Sequence, residues 1–358
     1  MNVFMHISLV RNRRLRMHSN YFFLSTNLLF IKKFILTFRC KNEFHLNSTT
    51  TTMDRRQFTK NLFAGSAFLS INSSFTEGVS ALKTPTKQTP FKMHYAPHFG
   101  MFENSAGKDP IDQLKYMSEM GFTAMEDNGM MGRTVEIQKK AGETMAQLGM
   151  TMGVFVVGFD NWPPKTTLAS GNLEWREKFL KTCREAVEVA KRCNAKWMTV
   201  VPGNFDRTIQ MGYQTANVVE SLKQAAAIFE PHGLVMVLEP LSDNPDLFMR
   251  FSDQTYLLCK AVNSPSCKIL FDMWHMQRNE GNLIDNMNRA WEEIAYFQIG
   301  DNPGRNEPTT GEVNYKNIFK HIANKGFKGV LGMEHGNSVK GKEGEMKVIE
   351  AYRATDIS

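Results

Sequence analysis

The chain has 358 residues, enough for one large α/β domain. Apolar residues make up 42% and charged residues 22%, which excludes a disordered or collagen-like chain. The net charge of +7 lies entirely in residues 1–52, so the remaining chain is neutral and has no bulk electrostatic reason to bind nucleic acid.

The N-terminal segment is typical of a targeting sequence. Arg55 and Arg56 are followed by Phe58 and a short, mildly apolar run, which resembles a twin-arginine export signal. We therefore expect an unstructured upstream extension, a signal peptide, a linker and a catalytic domain, at residues 1–52, 53–80, 81–90 and 91–358.

This organisation predicts export to the periplasm, or a cytoplasmic protein if the signal is not used. The mature protein is expected to have no stable membrane span. One alternative is that residues 21–38 form a membrane anchor, although Asn27, Lys32 and Lys33 interrupt their apolar run.

Short β-rich runs then alternate with longer amphipathic stretches of helical period. The predicted strands are residues 93–97, 123–126, 151–157, 197–201, 235–238, 268–271, 295–299 and 329–333. The predicted helices are residues 109–120, 133–148, 173–193, 214–230, 252–262, 283–293, 315–324 and 344–354. Eight such units predict a single-domain α/β fold, the (β/α)₈ TIM barrel, and the glycine-rich phosphate loop of a doubly wound sheet is missing.

Polar side chains end four consecutive predicted strands. They are Glu239, Asp272, Gln298 and Glu334. In this fold the C-terminal strand ends share one mouth, where three carboxylates repel each other unless a cation compensates. Oxygen ligands favour one divalent ion, Mg²⁺ or Mn²⁺, with Co²⁺ as an option. The alternative for each acid alone is a helix cap or a pair with lysine.

Other candidate side chains border the same mouth. His275 follows Asp272 by three residues, and it is expected to contact substrate or to orient Asp272. Arg305 lies in the loop after the seventh strand, where it is expected to bind substrate, or else to pair with Glu307 at the surface. His98 follows the first strand and is a third substrate-binding candidate, and Glu126 and Asn128 are weaker ones.

These motifs together resemble the hydroxypyruvate isomerase family, one of the xylose-isomerase-like barrels, alongside ketose 3-epimerases. The resemblance covers residues 91–355 and is carried by Glu239-Pro240, Asp272-x-x-His275, Gln298-x-Gly300, Glu334-His335 and the loop Pro303-Gly304-Arg305-x-Glu307-Pro308 with Gly311-Glu312-Val313-Asn314-Tyr315.

The resemblance implies roles for these residues. The metal ligands would be Glu239, Asp272, Gln298 and Glu334. Glu239 and Glu334 would also form the acid–base pair, while His275 and Arg305 would contact the substrate.

The implied function is a metal-dependent isomerase, which interconverts a small hydroxy-aldehyde and hydroxy-ketone through an enediolate. The alternatives are a ketose 3-epimerase or sugar isomerase, a phosphodiester-cleaving nuclease on the same barrel, and a non-catalytic exported carbohydrate-binding barrel. The expected partner is a small hydroxy-carbonyl compound or sugar, and the sequence leaves a homo-oligomer open.

Overall fold

A computed structural model describes residues 87–158 and 168–357. The predicted upstream extension, the predicted signal peptide and residues 81–86 of the predicted linker lie outside the described residues. The arrangement expected for the N-terminal segment therefore stays a prediction.

Parallel strands form the centre of the domain. They are β1 (His94–Ala96), β2 (Ala124–Met125), β3 (Thr151–Met152), β4 (Phe155–Val156), β5 (Trp197–Val200), β6 (Val235–Leu238), β7 (Cys267–Asp272), β8 (Ile294–Gln298) and β9 (Val330–Gly332). Seven of them form one sheet in the order β1-β9-β8-β7-β6-β5-β4, and β2 pairs with β3.

The two sheets close into a barrel. The predicted strand 151–157 is split into β3 and β4, so nine segments occupy eight barrel positions. The Glu126 N–H donates to Pro97 O at 3.1 Å, which joins β2 to β1, and the Gly153 N–H donates to Met125 O. The predicted (β/α)₈ barrel is thus confirmed.

Helices cover the outside of the strands. They are α1 (Glu103–Ala106), α2 (Pro110–Glu119), α3 (Val135–Leu148), α4 (Leu173–Cys193), α5 (Met211–Phe229), α6 (Ser252–Val262), α7 (Met273–Asn279), α8 (Leu283–Ala290), α9 (Tyr315–Asn324) and α10 (Gly341–Thr355). Eight match predicted helices to within a few residues, and α1 and α7 were not predicted. No helix in the described part of the chain is both long and apolar enough to cross a bilayer.

The core has two layers of different side-chain size. Large aromatic residues such as Phe297 and Phe319 fill the space between strands and helices. The barrel interior holds small or branched residues, including Ala96, Val154 and Val237, together with the larger Tyr296. Because small residues line the interior, the ring of Tyr296 has room to cross it.

Gly142 is the point of closest approach between α3 and the end of α4. A methyl group there would lie 2.4 Å from Arg192 O and 2.8 Å from Cys193 Cα, both backbone atoms. We expect Gly142→Ala to lower the free energy of unfolding by about 1–3 kcal/mol, as overpacking does, measured by urea denaturation. Gly212→Ala in α5, where no atom lies within 4 Å of the added methyl, is the control and should be neutral or raise stability by about 0.4–1 kcal/mol. Equal effects of the two substitutions would contradict this account of the packing.

Candidate metal centre and substrate cavity

The four predicted strand-end residues meet at one end of the barrel. Asp272 and Gln298 are the last residues of β7 and β8 and lie opposite each other in register. Glu239 directly follows β6, and Glu334 follows β9 by two residues. Asp272 and Gln298 are each 1% exposed and Glu239 is 6% exposed, so the carboxylates have lost most of their water.

Arg305 lies between two of these carboxylates. Its Nη2 is 2.7 Å from Glu334 Oε2 and 3.0 Å from Asp272 Oδ2. The guanidinium also stacks on the Trp274 ring, with Cζ 4.4 Å from the ring centroid. Glu307, the alternative partner considered from the sequence, accepts the backbone N–H of Ser338 instead, at 2.9 Å. Arg305 therefore belongs to the mouth of the barrel.

His275 faces the same centre with a defined tautomer. Its Nδ1 lies 3.0 Å from the Ser242 backbone N and 2.8 Å from Ser242 Oγ. Because a backbone N–H can only donate, Nδ1 accepts, and the proton of the neutral ring sits on Nε2. Nε2 also lies 3.3 Å from Arg305 Nη2, and in this tautomer that is a contact between two donors and not a hydrogen bond. Burial lowers the pKa of His275, which favours this neutral form.

The tautomer bears on which atoms can bind a metal ion. Glu239, Asp272 and His275 each place one ligand atom within 4.8 Å of the others, which is a spacing that three metal ligands can have. A metal ion needs the lone pair of Nε2, however, and the Ser242 contact leaves a proton there. Nε2 lies 3.6 Å from Asp272 Oδ2 and 3.8 Å from Glu239 Oε1, so its N–H faces the carboxylates of the cluster.

The crowding of negative charge shifts the acidities of the cluster. Burial, together with the charges of Glu334 and Asp272, raises the pKa of Glu239 well above its usual range. Burial raises the pKa of Glu334 to about 7, against the favourable charge of Arg305. Burial also opposes ionisation of Asp272, but His275, Arg305 and two backbone N–H groups hold its pKa below the usual value. One guanidinium thus compensates three carboxylates only in part.

The donor atoms fit a hard divalent cation. Gln298 Oε1 is buried without a hydrogen-bond partner, whereas its Nε2 faces Glu126. An orphaned amide oxygen beside carboxylate oxygens is a ligand set that suits Mg²⁺ or Mn²⁺. The two positive charges of such an ion would also balance the negative charge of the three carboxylates that Arg305 leaves uncompensated.

A cavity of about 220 Å³ opens beside Glu334. It is lined by His98, Phe99 and residues 126–129 as well as by Glu334. Asn128 Nδ2 donates to Glu334 Oε1 at 2.7 Å, which holds that carboxylate at the cavity edge. His98 borders the cavity, and its Nδ1 and Nε2 lie 2.9 Å from Phe99 O and 3.2 Å from His335 O. A neutral ring has one N–H and can donate to only one of these two carbonyls.

Sequence reasoning missed several side chains that support this site. Ser242 and Trp274 contact His275 and Arg305, and Tyr296 crosses the barrel to reach Glu126. Glu126 could be recognised from the sequence, since it is an acid at the end of a predicted strand. The contacts Ser242–His275, Trp274–Arg305 and Tyr296–Glu126 could not, because each joins residues that are distant in sequence.

Comparison with known proteins gives matches over most of the domain. The sequence pattern of the xylose isomerase-like TIM barrel family matches residues 114–354. Hydroxypyruvate isomerase of Escherichia coli (strain K12) is 30% identical over 179 residues, which cover 49% of this chain and 69% of that protein. The 2-oxo-tetronate isomerase of Cupriavidus necator is 29% identical over 232 residues, covering 63% and 86%.

Solved structures share the fold at low sequence identity. A D-psicose 3-epimerase from Clostridium cellulolyticum H10 superposes with a TM-score of 0.61 at 15% identity, covering 74% of this chain and 98% of that one. An AP endonuclease of family 2 from Brucella melitensis gives 0.62 at 21% identity, covering 70% and 96%. At these identities the likeness establishes the fold alone.

The raised pKa of Glu334 predicts a pH-dependent stability in metal-free protein. The unfolded chain loses this proton near pH 4.5 and the folded chain near pH 7. The contribution of the protonated form is therefore complete below pH 4.5 and is lost as the pH rises through 7. We expect Glu334→Gln, which cannot ionise, to reduce the loss of unfolding free energy between pH 5 and pH 8 by up to about 3 kcal/mol.

The measurement is chemical denaturation at both pH values with EDTA present. Glu334 is 24% exposed, so solvent screening will bring the effect below that upper value. The control Glu143→Gln, at an exposed position in α3, should keep the wild-type pH dependence. An unchanged pH dependence in Glu334→Gln would contradict the assignment.

Proposed function

The chain belongs to the xylose isomerase-like TIM barrel family, and we propose that within it this protein is a metal-dependent isomerase of the hydroxypyruvate isomerase type. The observation that carries the proposal is the buried cluster of strand-end oxygens with an unpartnered Gln298 Oε1 at its edge. The similarity to named isomerases supports the same reaction class.

The proposed metal ligands are the four strand-end residues. Glu239, Asp272, Gln298 and Glu334 would hold one Mg²⁺ or Mn²⁺ ion, with Co²⁺ as a further option. When bound, the ion would supply Lewis-acid stabilisation of negative charge on the substrate carbonyl and hydroxyl oxygens. The chain itself supplies proton transfer and orientation.

Glu239 and Glu334 are the proposed proton carriers. One carboxylate removes a proton from the hydroxyl-bearing carbon beside the substrate carbonyl, which leaves an enediolate. A glutamate returns a proton to the former carbonyl carbon, and the hydroxyl proton passes to the former carbonyl oxygen, so that carbonyl and hydroxyl exchange places. A carboxyl group with a pKa near 7, as at Glu334, holds or releases a proton readily at neutral pH. Asn128 keeps Glu334 in place through its 2.7 Å hydrogen bond.

His275 and Arg305 are proposed to orient the substrate. The Nε2–H of His275 faces the centre of the cluster and can donate to a substrate oxygen as charge develops there. Arg305 supplies further N–H donors on the same side, and its guanidinium lies over the Trp274 ring. His98 remains a substrate-binding prediction, through the wall of the cavity that it helps to form.

A ketose 3-epimerase or sugar isomerase is the second candidate. Return of the proton to the opposite face of the same carbon, by the second glutamate, gives epimerisation with the same residues. The polar cavity beside Glu334 favours this candidate, since it offers acceptors to the hydroxyl groups of a longer chain. Assays of hydroxypyruvate and of a ketose panel with Mn²⁺ separate the two.

Export by the twin-arginine route is part of the proposal and depends on Arg55 and Arg56, outside the described residues. Fractionation of cells that express the full chain tests it. The Arg55→Lys/Arg56→Lys variant should remain in the cytoplasm if the signal is used. A homo-oligomer likewise stays a prediction.

Replacing either proposed proton carrier should abolish most of the turnover. Glu239→Gln and Glu334→Gln preserve size and keep an oxygen that can ligate, but remove the basic carboxylate. We expect kcat to fall by about 10²–10⁴ with the circular dichroism spectrum unchanged, whereas Glu143→Gln should be silent. Near-normal turnover in both variants would contradict the assignment.

Removal of metal should remove activity reversibly. Purified full-length protein is expected to contain one divalent ion per chain by elemental analysis, to lose turnover on dialysis against EDTA, and to regain it with Mn²⁺ or Mg²⁺. Undiminished activity without metal would refute the proposed mechanism. A metal-free protein that binds sugars without turnover would support the non-catalytic alternative instead.

A further inference from the structure

We propose that Glu126 is a positioning residue that orients the amide of Gln298 so that its oxygen faces the metal. The inference rests on the proposed ligation by Gln298. It assigns a purpose to a buried acid that the mechanism above does not use.

The contact between the two side chains defines the amide orientation. Gln298 Nε2 lies 3.4 Å from Glu126 Oε1 and 3.5 Å from Oε2, while Gln298 Oε1 is buried and unpartnered. The two ends of a glutamine amide are nearly equal in size, so its neighbours decide which end points where. Both carboxyl oxygens of Glu126 face donors, Tyr296 Oη at Oε2 and Gln298 Nε2 at both, so the group presents acceptors to the amide and selects its NH₂ end.

The hydrogen bonds to Gln298 are long, which makes their direction more important than their strength. A reversed amide would place its oxygen against the Glu126 carboxylate and its NH₂ group among the ligand carboxylates. Such an NH₂ group has no lone pair for a metal ion. The position of Glu126 thus disfavours the orientation that cannot ligate.

Glu126 is itself fixed from behind. Tyr296 Oη donates to Glu126 Oε2 at 2.9 Å, and the Val154 N–H donates to Tyr296 Oη at 3.3 Å. Two residues without side chains make room for this arrangement. A Cβ at Gly332 would lie 1.9 Å from Glu126 Oε2, and one at Gly153 would lie 2.3 Å from Tyr296 Oη.

Glu126 is a buried acid with no positively charged partner among the described residues. The side chain is 1% exposed, and no ion pair within the described residues includes it. A buried carboxyl group whose partners are a phenol and an amide is costly to ionise, and burial raises the pKa of Glu126 well above its usual range. A divalent ion held by the oxygen of Gln298 would bring positive charge close to Glu126 and favour its ionised form.

The test is the affinity of the full-length protein for Mn²⁺, titrated calorimetrically after EDTA treatment. Glu126→Gln leaves one acceptor oxygen for two donors, so its NH₂ group faces either Tyr296 or Gln298 and the orientation preference is weakened. We expect the Kd for Mn²⁺ to rise about 10–100-fold, as for other residues that orient metal ligands. Glu143→Gln, the same change at an exposed position of α3, should leave the Kd unchanged.

A reciprocal exchange distinguishes positioning from simple packing. In Glu126→Gln/Gln298→Glu, the amide at position 126 can donate to a carboxylate at 298, which offers an oxygen to the metal in either orientation. We expect the double variant to recover most of the wild-type Mn²⁺ affinity, so that the two single losses are strongly non-additive. Additive losses would overturn the proposal.

A second perturbation covers the case in which Glu126→Gln does not fold. Tyr296→Phe leaves the carboxylate in place but removes its donor, and should raise the Kd for Mn²⁺ several-fold. An unchanged Kd for Mn²⁺ in Glu126→Gln would overturn the role of Glu126 and leave the proposed metal site intact. If only Tyr296→Phe is soluble, an unchanged Kd in that variant has the same consequence. Failure of the wild-type chain to bind Mn²⁺ would overturn the proposed function as well.

Discussion

The mutual repulsion of Glu239, Asp272 and Glu334 is the constraint to which the rest of the site responds. Parallel strands deliver these carboxylates to one buried centre, where Arg305 bridges Asp272 and Glu334 with a single positive charge. Burial, together with the remaining negative charge, raises the pKa values of Glu239 and Glu334. The same negative charge accounts for the unpartnered Oε1 of Gln298, since a cation bound there would balance the charge and use this oxygen as a ligand.

The barrel and the mouth residues could be predicted because both depend on local pattern. A run of β-branched or apolar residues that ends in a polar one places Glu239 or Asp272 at the mouth once the fold is known. The short helix α7 escaped prediction because its seven residues give too little periodicity. Asp272, for which a helix cap was the alternative to a metal ligand, does cap this helix through the Trp274 and His275 N–H groups.

Contacts between residues distant in sequence could not be predicted. The tautomer of His275 depends on Ser242, which lies 33 residues away in the sequence. Arg305 contacts Asp272 only because the loop after β8 folds back to the mouth of the barrel. Gly332, the last residue of β9, has no side chain and so leaves space for the Glu126 carboxylate. Nothing in the sequence relates Gly332 to Glu126, which directly follows β2. The two outer residues of the Glu126–Asp127–Asn128 run contact Gln298 and Glu334, so one strand end supports both sides of the centre.

The most direct measurement is a crystal structure of the Mn²⁺-soaked protein with anomalous diffraction at the manganese edge. We expect one anomalous peak at about 2 Å, the distance at which a small hard cation binds oxygen ligands, from oxygens of Glu239, Asp272, Gln298 and Glu334. His275 Nε2 should lie outside that distance. No peak at the mouth, or a metal bound through His275 with the amide of Gln298 turned away, would contradict the shared-cation account.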